Sequence, residues 1–155
     1  MHKLLSGCLA AALLFVTAAS ASAANVTFNG TVSATCSLNI TAPAGTMVPD
    51  ATLQQLSSLP AGGSPAKISL TTTGGVTLTV DPLVSVIKPS GDTTATTWQP
   101  SYDLAGVETA TNAASPTILE LAGTNLVDVH LTGTKAGSDK FANGNYIATV
   151  TVRCE

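Results

Sequence analysis

Residues 144–154, GNYIATVTVRC, decide how this chain is read. Tyr146, Ala148, Val150, Val152 and Cys154 alternate with Thr149, Thr151 and Arg153, the period-two pattern of a strand with one face turned to a core. Cys154 belongs to the apolar face. An earlier stretch, residues 25–40, NVTFNGTVSATCSLNI, has the same grammar: Val26, Phe28, Gly30, Val32, Ala34, Cys36, Leu38 and Ile40 share one face, and Asn and Thr dominate the other. Both cysteines therefore project inward, one from a first strand and one from a last strand.

The redox compartment follows from the N-terminus. His2 and Lys3 precede an apolar run from Leu4 to Val16 and a small-residue site, Ala21-Ser22-Ala23, which together read as a secretory signal peptide cut after Ala23 or Ala24. A transmembrane anchor is the competing reading, but the run falls short of the roughly 20 apolar residues a spanning helix needs. The LSGC stretch ending at Cys8 looks like a lipid-attachment box, yet most of the apolar run follows Cys8, so this cysteine is discarded with the leader. The mature chain then carries two cysteines in an oxidising compartment, where a Cys36–Cys154 disulfide is expected in preference to two free thiols. In the chain-entropy view, closing so long a loop is worth at most about 4–5 kcal/mol.

Of 155 residues, removal of 1–23 leaves 132, one domain's worth, taken as residues 24–155. Five basic and nine acidic side chains remain, with no basic cluster. That balance weighs against nucleic acid and anionic membrane surfaces as partners, and no membrane span is expected in the mature chain. Few aromatics, few charges and abundant β-branched residues fit a secreted β protein of the periplasm, a fimbrium or the cell surface.

Between the two cysteine strands most signals are β. KISLTTTGGVTLTV (67–80) reads as a hairpin turning at Gly74-Gly75. LVSVI (83–87) reads as a short buried strand, and TTWQPSYDL (96–104) as an edge strand because Pro100 interrupts it. PTILELAG (116–123) and LVDVHLTGT (126–134) supply further strands, and SDKFANGNY (138–146) is the turn into the last. Residues 41–66, rich in Pro, Ala, Gly and Ser, read as a long crossover loop. Thr52 and Gln55 have capping-box spacing for one helical turn, and Leu53, Leu56 and Leu59 are placed to form a lid. The expected fold is all-β, an immunoglobulin-like or pilin-like antiparallel sandwich of about seven or eight strands.

The two termini resemble pilin subunits of the chaperone–usher type. Val26, Phe28, Gly30, Val32 and Cys36 match the run that opens such pilins, and Gly144, Tyr146, Ala148, Val150 and Val152 match their final strand. Residues 48–73 are more weakly similar to their first crossover loop and second strand. The resemblance implies a non-enzymatic structural or adhesive subunit that assembles through a sheet edge by β-strand addition. Its implied partners are other protein subunits or a periplasmic chaperone, and its implied edge residues are Val26, Phe28, Val32, Tyr146, Val150 and Val152. The chain departs from such pilins in three ways. Their second cysteine stands near the place of Thr72 or Thr73. They carry a donor segment of about a dozen residues before the first strand, where only Ala24 and Asn25 would remain here. Their last strand ends in an aromatic-containing tail. A subunit without its own donor fits a tip or stand-alone role.

No catalytic, cofactor or metal site is expected. Asp128 and His130 share a strand face, but two ligands are too few for zinc, and alternation alone makes them a solvent-facing pair opposite Val127, Val129 and Leu131. A serine hydrolase would have to use His130 as its base, and no G-x-S-x-G elbow is present. Asp139, Asn143 and Asn145 lack calcium-loop spacing and read as a turn. Sequons at Asn25, Asn29 and Asn39 lie on the polar face. The alternative function is a complete immunoglobulin-like binding module that recognises a sugar or protein through its loops, with Trp98 and Tyr102 as candidate exposed aromatics.

Overall fold

The structure, a computed structural model, describes residues 23–155; the expected leader lies, apart from Ala23, outside the described residues. Among these, no helix is long and apolar enough to cross a membrane. Residues 23–31, which form no helix or strand, belong to one unit and residues 32–155 to another.

The second unit is all-β and antiparallel. Its strands are β1 (Cys36–Ala42), β2 (Val48–Pro49), β3 (Gln55–Ser57), β4 (Ala66–Thr72), β5 (Val76–Val80), β6 (Ser85–Ile87), β7 (Thr96–Gly106), β8 (Ala110–Ala113), β9 (Thr117–Leu119), β10 (Gly123–Lys135), β11 (Ile147–Thr149) and β12 (Val152–Cys154). β10 is the spine of the larger sheet. β7 runs along one of its edges from Asn125 to Lys135, while β4 and then β3 share the other. β1 closes on the outer edge of β4, β2 on β3, and β8 on β7. A second sheet has the order β12-β5-β9, and β11 pairs with β6.

One core joins the two larger sheets. Ile68 and Leu70 of β4, Tyr102 and Leu104 of β7, and Val127 and Val129 of β10 pack with Val76 and Leu78 of β5 and Leu119 of β9. Alternate residues of each strand supply it, as facing sheets require, and the arrangement is consistent with a sandwich. Tyr102, read from sequence as an exposed aromatic, is 1% exposed. Its hydroxyl donates to the Ser115 carbonyl at 2.9 Å and lies 2.5 Å from Thr117 Oγ1, so the ring fills the core and the polar tip finds partners in the loop before β9 and at the first residue of β9.

Several expectations are corrected. Twelve strands replace seven or eight: the last strand breaks at Val150-Thr151 and its halves pair with different partners, β6 and β5. Residues 67–80 are not a hairpin, because β4 and β5 lie in different sheets. Gly74 and Gly75, with φ of 84° and 72°, turn the chain from one sheet to the other. A Cβ on Gly74 would run into the Glu120 carbonyl, so glycine permits both the left-handed backbone and the close approach. The 83–87 run is not buried, with Val84 63% and Ile87 64% exposed.

Within 41–66 there is no helical turn. Asp50, rather than Thr52, organises a tight β2–β3 connection: its Oδ1 accepts the Gln54 and Gln55 N–H groups, each at 2.9 Å. The Thr52 hydroxyl, which donates to Asp50 Oδ2, and then these N–H groups hold the Asp50 carboxyl below the ordinary carboxylate range. Of the lid leucines only Leu56 is buried; Leu53 and Leu59 are 44% and 48% exposed.

The first strand begins at Cys36, not at Val26. Its ladder with β4 extends one step back, where Thr73 N–H donates to the Thr35 carbonyl at 3.1 Å and Thr35 N–H donates to Thr73 Oγ1 at 2.8 Å. Beyond that, Gly74-Gly75 carries the opposing chain away, so β4 offers no backbone for earlier residues to pair with.

Candidate functional site

The inner face of β1 is open. Leu38 and Ile40 occupy core-facing positions in its alternation yet are 36% and 63% exposed. They form one wall of a groove of about 740 Å³. Tyr146, Ile147, Val150 and Val152, from the chain around β11 and β12, form the opposite wall. Ile68, Val129 and Leu131 line it between them, and Met47 and Ser58 come from the crossover. The walls belong to different sheets and no backbone pairing joins them. β1 has a ladder partner on one side only, β4, and β12 one only, β5. An unpaired strand edge on each side, with apolar side chains between, is the geometry that accepts an added strand.

Two residues beyond Leu38 and Val152, the last groove-lining positions on the two walls, the Cys36–Cys154 disulfide ties the start of β1 to the end of β12 with their Cα atoms 6.0 Å apart. Both half-cystines pack against the core, as the inward register of residues 36 and 154 requires. Away from the bridge, residue numbers rise along β1 and fall along the facing wall, so Ala42 and Tyr146 lie at the far end.

That far end rests on a buried polar cluster. Lys135 and Asp92, whose side chains are fully buried, form an ion pair at 2.5 Å, and the Tyr146 hydroxyl donates to Asp92 Oδ2 at 2.7 Å. Burial pushes the Asp92 carboxyl up, but the Lys135 and Tyr146 hydrogen bonds and the charges of Lys135 and Lys88 outweigh it, so its pKa is lowered. Burial and the Asp92 carboxylate push the Tyr146 phenol up to about 12. The Phe141 ring packs edge-on against Tyr146 and sits 5.0 Å from Lys135 Nζ. The turn expected over 138–146 thus also carries an apolar anchor.

His130, expected to face solvent, is 8% exposed because the crossover covers it. Ser58 Oγ lies 3.1 Å from its Nδ1, Asp103 Oδ2 lies 3.5 Å from its Nε2, and Asp103 Oδ1 accepts the Asn112 N–H at 2.6 Å. Serine, histidine and aspartate stand in triad order, but Ser58 Oγ also accepts the Leu131 N–H at 3.1 Å. The chain of bonds pins the crossover to β10, a structural lock that alternation along β10 alone could not reveal. Asp128, the other member of the expected pair, is bound by Lys67 at 2.7 Å.

Of the sequence-predicted edge residues, Tyr146, Val150 and Val152 line the groove. Val26 and Phe28 fall in residues 23–31 and are 74% and 91% exposed; Val32, in the second unit, is 82% exposed, and all three lie outside any strand. Trp98 is half-buried, lying over Gly133 and 6.2 Å from the Phe141 ring. Leu38, Ile40 and Ile147 were the missed groove residues. Their alternation was visible, but it says only that a face is apolar, not that something covers it. Among the described residues no group of three or more His, Cys, Asp or Glu could hold a metal ion. The chain matches no family model, no curated protein and no solved structure.

Proposed function

We propose that the chain is a secreted, non-enzymatic, pilin-like structural subunit that assembles by strand addition, its groove accepting an extended segment of a second copy. The observation that carries this reading is the exposed inner face of β1, whose Leu38 and Ile40 have the pattern of a sandwich interior yet stay exposed to the groove. The donor is the segment Ala24–Thr35. It supplies the dozen residues before the first strand that the sequence reading counted as missing, because that strand begins only at Cys36. Val26, Phe28, Gly30 and Val32 alternate along it, and it carries no charged side chain, which suits an apolar groove. Added main-chain hydrogen bonds along two strand edges supply affinity, and alternate side chains entering the groove supply specificity. Each copy then offers a donor and an acceptor, a heterologous contact that propagates instead of closing. A periplasmic chaperone lending a strand to the same groove before assembly is the second partner this reading implies.

Two variants of the mature chain test it. Phe28→Asp disables the donor and leaves the groove intact; Ile40→Asp disables the groove and leaves the donor intact. Refolded alone, each stays monomeric by light scattering; refolded together, they form a one-to-one dimer that grows no further. Absence of that dimer overturns the reading.

A further inference from the structure

We infer that the Cys36–Cys154 disulfide is a stop that sets the register of the strand entering the groove; this rests on the strand-addition reading. Neighbouring strands lie about 4.8 Å apart, so two strands that flank a third are separated by roughly 10 Å. At the bridge the two walls stand 6.0 Å apart between Cα atoms, too close for any backbone to pass between them. The groove must therefore widen from the bridge toward Ala42 and Tyr146, and a partner strand ends short of the sulfurs.

The usable wall of β1 is correspondingly short. Leu38, Ile40 and Ala42 are its groove-lining positions beyond Cys36, and Val152, Val150 and Ala148 are among those that the other wall contributes. A partner thus seats about three inward side chains, given the two-residue repeat of a strand, and a fourth at the bridged end has no place. A strand pairing along uniform edges could slip by two residues and keep its apolar face inward. A covalent stop removes that freedom and pre-organises the walls before the partner arrives.

The test uses the mature chain carrying Phe28→Asp, so that its own segment does not compete, and synthetic peptides of residues 24–35 lengthened by one Val-Thr repeat at either end. With the bridge intact, lengthening at one end changes Kd by less than twofold. After Cys36→Ser with Cys154→Ser, the same lengthening tightens binding at least tenfold. If the double variant does not fold, the bridged chain still decides: affinity that climbs with added residues at both ends overturns the stop. Binding of none of the peptides by the bridged chain overturns the strand-addition reading itself. Binding that is blind to the bridge overturns only the stop.

Discussion

β1 and β4 lie side by side in one ladder, Leu38 opposite Leu70 and Ile40 opposite Ile68, and they have the same alternation. Their inner faces have opposite fates. Leu70 and Ile68 are 0% and 7% exposed, whereas Leu38 and Ile40 are 36% and 63% exposed. Residue type and register do not separate them. β4 has ladder neighbours on both sides and lies within the core shared with β5 and β9, while β1 has one neighbour and an open groove beneath it. An apolar face is thus a request for a cover, and whether this chain supplies the cover depends on where the strand falls in the sheet.

The largest expected effect breaks the comparison directly. Leu70→Ala should cost up to about 5 kcal/mol, the upper end for a fully enclosed leucine, while Ile40→Ala in the isolated chain should cost less than about 1 kcal/mol because little burial is lost. Urea denaturation of both variants measures the difference, and equal losses would mean that β1 is covered. Asp92→Asn should cost about 3 kcal/mol by leaving Lys135 charged and unpaired in a buried site. Here the loss should be accompanied by a shift of the Ile147 and Tyr146 amide resonances at the groove's far end. Unchanged resonances there would detach the cluster from the groove wall.

Cys154→Ser should lower stability by about 2–4 kcal/mol while the far-ultraviolet β signature persists, since the core of β4, β5, β9 and β10 does not contain the bridge. Loss of that signature under native conditions would show that the open half supports the closed one. The smallest effect is on pH. The Tyr146 phenol titrates near 10 when unfolded and about 12 when folded. Between these values the unfolded chain binds fewer protons, so stability declines as pH rises through 10 and levels off past 12. Tyr146→Phe should remove that slope, and a slope that survives in denaturation curves at pH 9 and 11 assigns it elsewhere. Asp92, lowered in the fold, acts at the other extreme: its contribution is present above about pH 4 and is lost as pH falls through its folded value.

Much of this was legible. The inward register of Cys36 and Cys154 anticipated the bridge, and alternation anticipated an all-β antiparallel chain. Pro100 signalled an edge for only part of β7: residues 96–100 pair with β10 alone, whereas Tyr102 and Leu104 also pair with β8. Gly74-Gly75 was read as a turn but not as a change of sheet, because two left-handed glycines serve either purpose and only the partners of β4 and β5 distinguish them. His130 and Tyr102 were misjudged for the same reason: burial of a polar or aromatic side chain depends on what crosses over it, here the residue 58 segment and the loop before β9.

Local periodicity is a property of the chain itself, so the amino-acid sequence alone determined the all-β class, the apolar faces of the two cysteine strands and of β4 and β5, and the two cysteines able to meet. It could not say where β1 begins, because the alternation runs without a break from Val26 to Ile40 and pairing stops only where β4 turns away at Gly74. Nor could it say that the inner face of β1 stands open, because burial is set by strands distant in sequence. The tertiary structure decided both, and with them the groove.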